Sequence, residues 1–335
     1  HDDKTEQKQM TNKTMTLHDA VARLIRSGDQ MAIGGFTTSR KPLAVIGEIL
    51  RQGQTEFIAQ GGPAGSDWDM LIGAGRVKAY INCYTANPRF SNVSRRFRAA
   101  IEEGRILFED YSQDAAMMSF HGASLGLPYV PVKMMLGSGM EKEWGIPEEI
   151  RRTIDKLPNQ KYIIQENPFQ PGEKLLLMPT PRIDVAILHV QMASPDGTCR
   201  ILGDPYQDVD LAFASERTIV TCDELVANEE IRRSPELNTI PGICVDAVVH
   251  LPYGGHPSQV YDCYDYDKEF YLAYDRAGKT EESFCEWLKE WVYDLPDHRA
   301  YLNKLGATRL IDLKVTTGFG YHVSTETIVG EVAAP

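Results

Sequence analysis

Cysteine is sparse in this chain, and its placement excludes more than it suggests. The six cysteines, Cys83, Cys199, Cys222, Cys244, Cys263 and Cys285, form no CxxC pair. No histidine pair stands at metal-ligand spacing. Free, buried thiols in a reducing compartment are expected, and no metal site. Long apolar runs are missing too. None approaches the roughly 18 residues of a membrane span. No signal-peptide pattern opens the chain, so a cytoplasmic protein is expected. Positive charge is deficient: Lys+Arg number 35 against 47 Asp+Glu, a net charge of −12. That excludes nucleic acid as a bulk partner, which needs a cationic face. Small anions remain open, because local charge and backbone N–H groups can hold them. Neither GxGxxG nor GxxxxGK[ST] occurs, so no Rossmann dinucleotide site or P-loop is indicated. The absence of GxSxG excludes the α/β-hydrolase nucleophile elbow. No internal repeat or low-complexity segment appears.

What is present is an alternation of strand and helix. "TLHDAVARLIRSGDQ" predicts a helix capped by Thr16. "QMAIGGF" predicts a strand that runs into Gly34-Gly35, and "KPLAVIGEILRQG" the following helix. "TEFIAQGG", "VKAYINCYTANP" and "RILFEDYSQ" read as further strands. Helices are predicted after each, the one in "SNVSRRFRAAIEEG" capped by Ser91 or Asn92. "RIDVAILHVQMASPDGTC", "RTIVTCDEL" and "CVDAVVHLPYGGHP" add three strands. The fold class is therefore α/β: an open, mostly parallel sheet with helices on both faces. Residues 1–14 read as a disordered or tag-like tail, and residues 15–325 as one domain. Within it, 137–179 is polar and proline-punctuated, an insertion. Residues 264–305 read as a helical C-terminal segment.

Open α/β sheets bind ligands at the carboxyl ends of their strands. The glycine-rich and polar strand ends should therefore converge on one crevice. Gly34, Gly35, Phe36 and Thr37 offer backbone N–H groups for a phosphate or an oxyanion. Gly61 and Gly62 form a second glycine turn, followed by Ser66. Tyr84, Asn87 and Arg89 follow the third strand, and Gln113 the fourth. Arg40, Lys41 and Arg89 are candidate cations for a substrate carboxylate. His121, His189, His250 and His256 show no acidic or thiol partner nearby in sequence, so structural roles are expected.

The segments "GGFTTSRKP", "GSDWDMLIGAGRVKAYINCYTAN", "EDYSQD", "ILHVQMASPDGTCRI", "YGGHPSQ" and "YLNKLGATRLIDLKV" together resemble the family I CoA-transferases. Within that family the likeness is to the A-type subunits of the glutaconate class, from about Met15 to about His322. The wider fold resembles that of ribose-5-phosphate isomerases. The resemblance implies transfer of CoA from acetyl-CoA, or a related acyl-CoA, to glutaconate or 2-hydroxyglutarate, in glutamate fermentation. It implies a ping-pong route through a glutamyl-CoA thioester, with the CoA thioester as substrate and no cofactor. In the family the nucleophilic glutamate lies in the other, B-type subunit. Its motif is absent here. A B-type partner and a hetero-oligomer are therefore implied. Gln113 matches a family glutamine after the corresponding strand and is expected to orient an acyl oxygen. The other enzyme readings on this scaffold are a glutaconyl-CoA-type decarboxylase and an acyl-CoA hydrolase. A non-catalytic ligand-binding subunit is the remaining alternative.

Overall fold

The computed structural model describes residues 12–142, 145–316, 318 and 320–323. Seven strands form one parallel sheet: β1 (Gln30–Ile33), β2 (Phe57–Gln60), β3 (Val77–Asn82), β4 (Leu107–Asp110), β5 (Ile183–Ala193), β6 (Ser215–Leu225) and β7 (Ala247–His250). Their spatial order is β7-β6-β5-β1-β2-β3-β4. A two-residue eighth strand, Cys199–Arg200, folds back antiparallel on β5. The chain runs outward from β1 to β4, returns to place β5 beside β1, then runs outward the other way. The strand order thus reverses between β1 and β5, the kind of point at which such sheets bind ligands.

Both faces of the sheet are covered, which explains the near-continuous apolar runs of β1 and β5. Met31, Ile33, Val185, Ile187 and Ile219 point to one face. That side is packed by α1 (Leu17–Leu24), α2 (Leu43–Gln52), α3 (Ser66–Gly73) and the C-terminal helices. Ala32, Ala186, Leu188, Val190 and Val220 point to the other, against α5 (Gln113–Ser124) and α6 (Asp208–Ala214). Trp68 of α3 is fully buried in the first layer. Truncating it to alanine would cost about 3–5 kcal/mol.

Local chemistry sets the helix ends. Thr16 Oγ1 accepts the Asp19 amide at 3.1 Å and starts α1, as its sequence predicts. Gly53, at φ +84°, closes α2 in the left-handed region that glycine occupies without strain. α4 (Arg95–Glu102) starts later than expected, with Ser94 at its N-cap. Asn87 and Ser91 instead exchange backbone hydrogen bonds in a tight loop that delays the helix.

The polar insertion forms a three-stranded antiparallel sheet of Tyr129–Val132, Ile163–Glu166 and Lys174–Pro179, the last in the middle. Its first strand precedes the polar stretch. Val130, Val132, Leu176 and Met178 pack on Ala115 and Ala116 of α5. The insertion thereby supports the helix that carries Gln113. The C-terminal segment contains α7 (Lys268–Ala277), α8 (Glu281–Leu288) and α9 (His298–Leu305). Residues 1–11 of the expected tail lie outside the described residues. Lys13 and Thr14 do not hang free: the Lys13 amide donates to Pro195 O at 2.7 Å, and Thr14 bridges to Val248 of β7.

Candidate active site

The loops after β1, β2 and β3 meet at one end of the sheet. The Thr37 amide donates to Pro63 O at 2.9 Å. Pro63 and Ala64 pair with Tyr84 and Thr85 in a short parallel ladder. Asn87 Oδ1 accepts the Ser66 amide at 3.0 Å. A β-carbon at Gly65 would stand 2.4 Å from that same oxygen. Close approach between these loops, rather than turn formation alone, therefore requires glycine there. Gly61 is held in the same way against Asn82 and Tyr80.

The turn after β1 differs from the sequence expectation. Its four backbone N–H groups are all used internally. The Gly34 amide donates to Ile187 O at 2.9 Å, that of Phe36 to Ser39 O at 2.8 Å, and that of Thr37 to Pro63 O. The Gly35 amide donates to Asp208 Oδ1 at 2.7 Å. None remains for a phosphate or an oxyanion. The glycines serve packing instead. A β-carbon at Gly34 would lie 2.6 Å from Asp208 Oδ1, and one at Gly35 would lie 2.5 Å from the carbonyls of Ser39 and Arg40.

The three candidate cations separate. Arg40 is 2% exposed. Its Nη1 donates to Asp208 Oδ2 at 2.6 Å and to His189 O at 3.1 Å, and Nη2 to Asp204 O at 2.9 Å. It is a framework residue in this structure, correcting the expectation that it faces substrate. Lys41 is also buried, with Nζ 3.0 Å from Asp67 Oδ2. Arg89 remains exposed, 5.9 Å from the Tyr266 ring.

The remaining candidates differ in burial. Phe36 is half-buried and stacks on Tyr206 at 5.0 Å between ring centroids. Thr37, Ser66 and Asn87 are buried, whereas Tyr84 is exposed. Gln113 is exposed as the first residue of α5. It follows Ser112, whose Oγ accepts the Ala115 amide at 3.4 Å. Gly62 lies 2.9 Å, measured from an added β-carbon, from Gln207 Nε2.

Burial dominates the electrostatics. It pushes the Cys83 thiol up to about 12, with Asp110 adding to the effect, so this thiol stays protonated and is no nucleophile. Burial also raises Asp110 above the usual carboxylate range. Glu109, beside it in β4, is 1% exposed and its carboxylate is held by Arg151, by Tyr111 Oη at 3.0 Å and by the Ile146 amide at 3.1 Å. His121, His189 and His256 find acids through the fold, whereas His250 Nε2 lies 3.2 Å from the Asp223 carbonyl. His189 Nε2 lies 2.9 Å from Asp223 Oδ2, because His189 stands opposite Thr221 in the β5–β6 ladder. His256 Nε2 lies 2.8 Å from Asp267 Oδ2. Among the described residues, no group of three or more His, Cys, Asp or Glu is placed to hold a metal. No helix among them is long and apolar enough to cross a membrane.

Sequence reasoning missed Gln207 and Asp208. Their only signal is the short "PYQDVD" run that opens α6, which reads as an ordinary helix start.

Comparison with known proteins agrees with this architecture. Residues 14–251 match the family model described as Coenzyme A transferase. The chain is 60% identical over 312 residues to the A-type subunit of glutaconate CoA-transferase from Acidaminococcus fermentans, covering 93% of this chain and 98% of that protein. The crystal structure of glutaconate coenzyme A-transferase from that organism superposes with a TM-score of 0.92, covering 94% of this chain and 99% of that one. A variant of the decarboxylase AibA/AibB is 26% identical, with a TM-score of 0.67 over 84% of this chain and 99% of that one. The chain belongs to the coenzyme A transferase family.

Proposed function

We propose that this chain is the A-type subunit of a heteromeric CoA-transferase, moving CoA from acetyl-CoA or a related acyl-CoA to glutaconate or 2-hydroxyglutarate. One observation carries the division of labour. The crevice segments Gly34–Arg40, Gly61–Ser66, Asn82–Asn87, Asp110–Gln113 and Asp204–Asp208 contain no glutamate. The glutamate beside them, Glu109, is buried in its ion pair with Arg151. This supports a nucleophile supplied by a partner subunit seated over the crevice, as the family resemblance implies.

The chemistry follows from a carboxylate nucleophile. The partner's glutamate attacks the thioester carbonyl and expels CoA thiolate, forming an acyl anhydride. The thiolate then attacks the glutamyl carbonyl, releasing the first acid and leaving a glutamyl-CoA thioester. The second acid reverses both steps. No electron is transferred, and neither a metal nor a redox cofactor is needed. Each tetrahedral intermediate needs donors for its oxyanion. The Gln113 side chain supplies one. The Gly62 amide, which has no acceptor among the described residues, supplies another. Arg89 holds the remote carboxylate of the dicarboxylic acid. Phe36 and Tyr84 form the apolar rim. CoA-ester substrates suit a cytoplasmic enzyme.

A decarboxylase is the second reading, favoured by the structural likeness to AibA/AibB. The test is CoA exchange between acetyl-CoA and glutaconate, with this chain alone and after co-expression with its partner. Exchange only in the complex is expected. Exchange by this chain alone would place the nucleophile here. Release of CO2 from glutaconyl-CoA without exchange would favour the decarboxylase.

A further inference from the structure

The turn after β1 is gripped by two side chains from one short segment. Asp208 Oδ1 accepts the Gly35 amide at 2.7 Å, and Gln207 Nε2 donates to Gly35 O at 2.8 Å. Both backbone polar groups of Gly35 are therefore held by adjacent residues at the start of α6. We propose that Asp208 is a positioning residue of the transfer reaction: it clamps the Gly34–Gly35 turn and sets the crevice floor without touching substrate. The proposal rests on the crevice reading given above.

Three features set this clamp apart from an ordinary buried ion pair. The second oxygen of Asp208 takes Arg40 Nη1 at 2.6 Å, so one carboxylate ties Gly35 to Arg40 and closes the turn on itself. An amide could not accept on both sides. Inside that closed turn, Gly35, Thr37 and Arg40 all have positive φ, +72°, +47° and +51°. Two of these are not glycine, so the backbone relaxes unless something holds it. Finally, Arg40 Nη1 also donates to His189 O, on β5. The clamp thus crosses the point where strand order reverses, joining the floor built by β1 to that built by β5. Misplacing such a floor by a fraction of an ångström slows the chemical step more than it weakens binding.

The experiment compares two double variants in complex with the partner. R40M/D208N removes the charge pair but keeps an acceptor for the Gly35 amide. R40M/D208A removes the charge pair and the acceptor. Neither leaves a buried charge without its partner, which is what would unfold a single variant. The alanine form is expected to have a kcat at least tenfold below the asparagine form. KM for acetyl-CoA and for glutaconate should agree within twofold, and the complexes should elute together. Amide hydrogen exchange supplies a readout independent of activity. Residues 34–40 should exchange at least tenfold faster in the alanine form, with α2 unchanged. Gln207→Leu, which loses only the donor to Gly35 O, should lower kcat in the same sense. Equal kcat in the two double variants overturns the proposal. So does a loss of kcat that only tracks lost assembly, or equal protection of residues 34–40. Absence of CoA exchange in the wild-type complex would instead refute the crevice reading, and the protection data alone would then decide whether the clamp exists.

Discussion

Lys41 Nζ lies 3.0 Å from Asp67 Oδ2, with the two side chains 1% and 0% exposed. The contact is an ion pair outside hydrogen-bond geometry, because Asp67 Oδ2 has no hydrogen-bond partner. Its other oxygen accepts the Gly65 amide at 2.7 Å, fixing the turn after β2. Lys41→Met would leave Asp67 buried and uncompensated, at a cost of about 3–5 kcal/mol. Adding Asp67→Asn removes that charge and preserves an acceptor for Gly65. The double variant should recover more than half of the lost stability in urea unfolding. Equal midpoints for the single and double variants would show that the charge pair contributes little.

Gly34 and Gly35 respond differently to an added methyl group. At Gly34 the new β-carbon meets Asp208 Oδ1 and Leu188 Cδ2, both side-chain atoms, at 2.6 Å. Leu188 can repack, but Asp208 Oδ1 is held by the Gly35 amide at 2.7 Å, so Gly34→Ala should loosen that bond and cost at least about 1–3 kcal/mol of overpacking. At Gly35 the obstacles are the backbone carbonyls of Ser39 and Arg40, and φ is +72°. Gly35→Ala should therefore be the worse of the two in thermal unfolding. The reverse order would mean that the turn is more pliable than its hydrogen bonds imply.

The sheet was legible in the sequence because both its faces are buried. Runs such as "DVAILHVQMA", rich in β-branched residues and bounded by turn signals, fit strands covered on two sides, whereas the glycine pair after β1 proved to serve packing. The clamp was illegible for a physical reason. Asp208 is 173 positions from Gly35, and an aspartate at a helix start satisfies local rules without any distant partner. The histidine pairs were hidden likewise: His189 meets Asp223 only through the register of β5 against β6. Arg40 misled because cations beside glycine turns suit anionic ligands, while the acid that neutralises it enters from across the strand reversal.

Gln113 is exposed at the first turn of α5, and its side chain forms no hydrogen bond among the described residues, so removing it disturbs no packing. Gln113→Ala should lower kcat at least tenfold, because loss of one oxyanion donor typically costs on the order of a hundredfold or more. Assembly with the partner should stay unchanged, as should the unfolding midpoint. An unaltered rate would remove this residue from the site.

Arg89 is the exposed cation of the three candidates, at φ +75° beside Tyr266. A hydrogen bond to a charged group contributes about 1.5–3 kcal/mol. Arg89→Ala should therefore raise KM for glutaconate by roughly tenfold or more on that scale, while the rate with acetate as acceptor stays within twofold. A parallel loss with both acids would indicate a role in CoA binding or assembly.

Two buried groups titrate in the same pH window with opposite effects. Burial raises Asp69 from the ordinary carboxylate value to about 6, against the bonds from the Phe97 amide at 2.8 Å and Tyr274 Oη at 2.7 Å. The folded state thus holds this proton more tightly than the unfolded chain. Its contribution is fully present below about pH 4 and lost as pH rises through about 6, amounting to about 3 kcal/mol. Burial lowers His298 to about 4, although Pro252 O receives its Nε2–H at 2.8 Å. That contribution is present above about pH 6.5 and lost as pH falls towards 4. The two slopes oppose each other, so the wild-type profile between pH 4 and 6 should be flatter than either alone. Asp69→Asn removes one slope. The stability of that variant should therefore fall more steeply than the wild type's on acidification from pH 6 to 4. Chemical unfolding across that range measures the difference, and parallel profiles would show that Asp69 titrates normally.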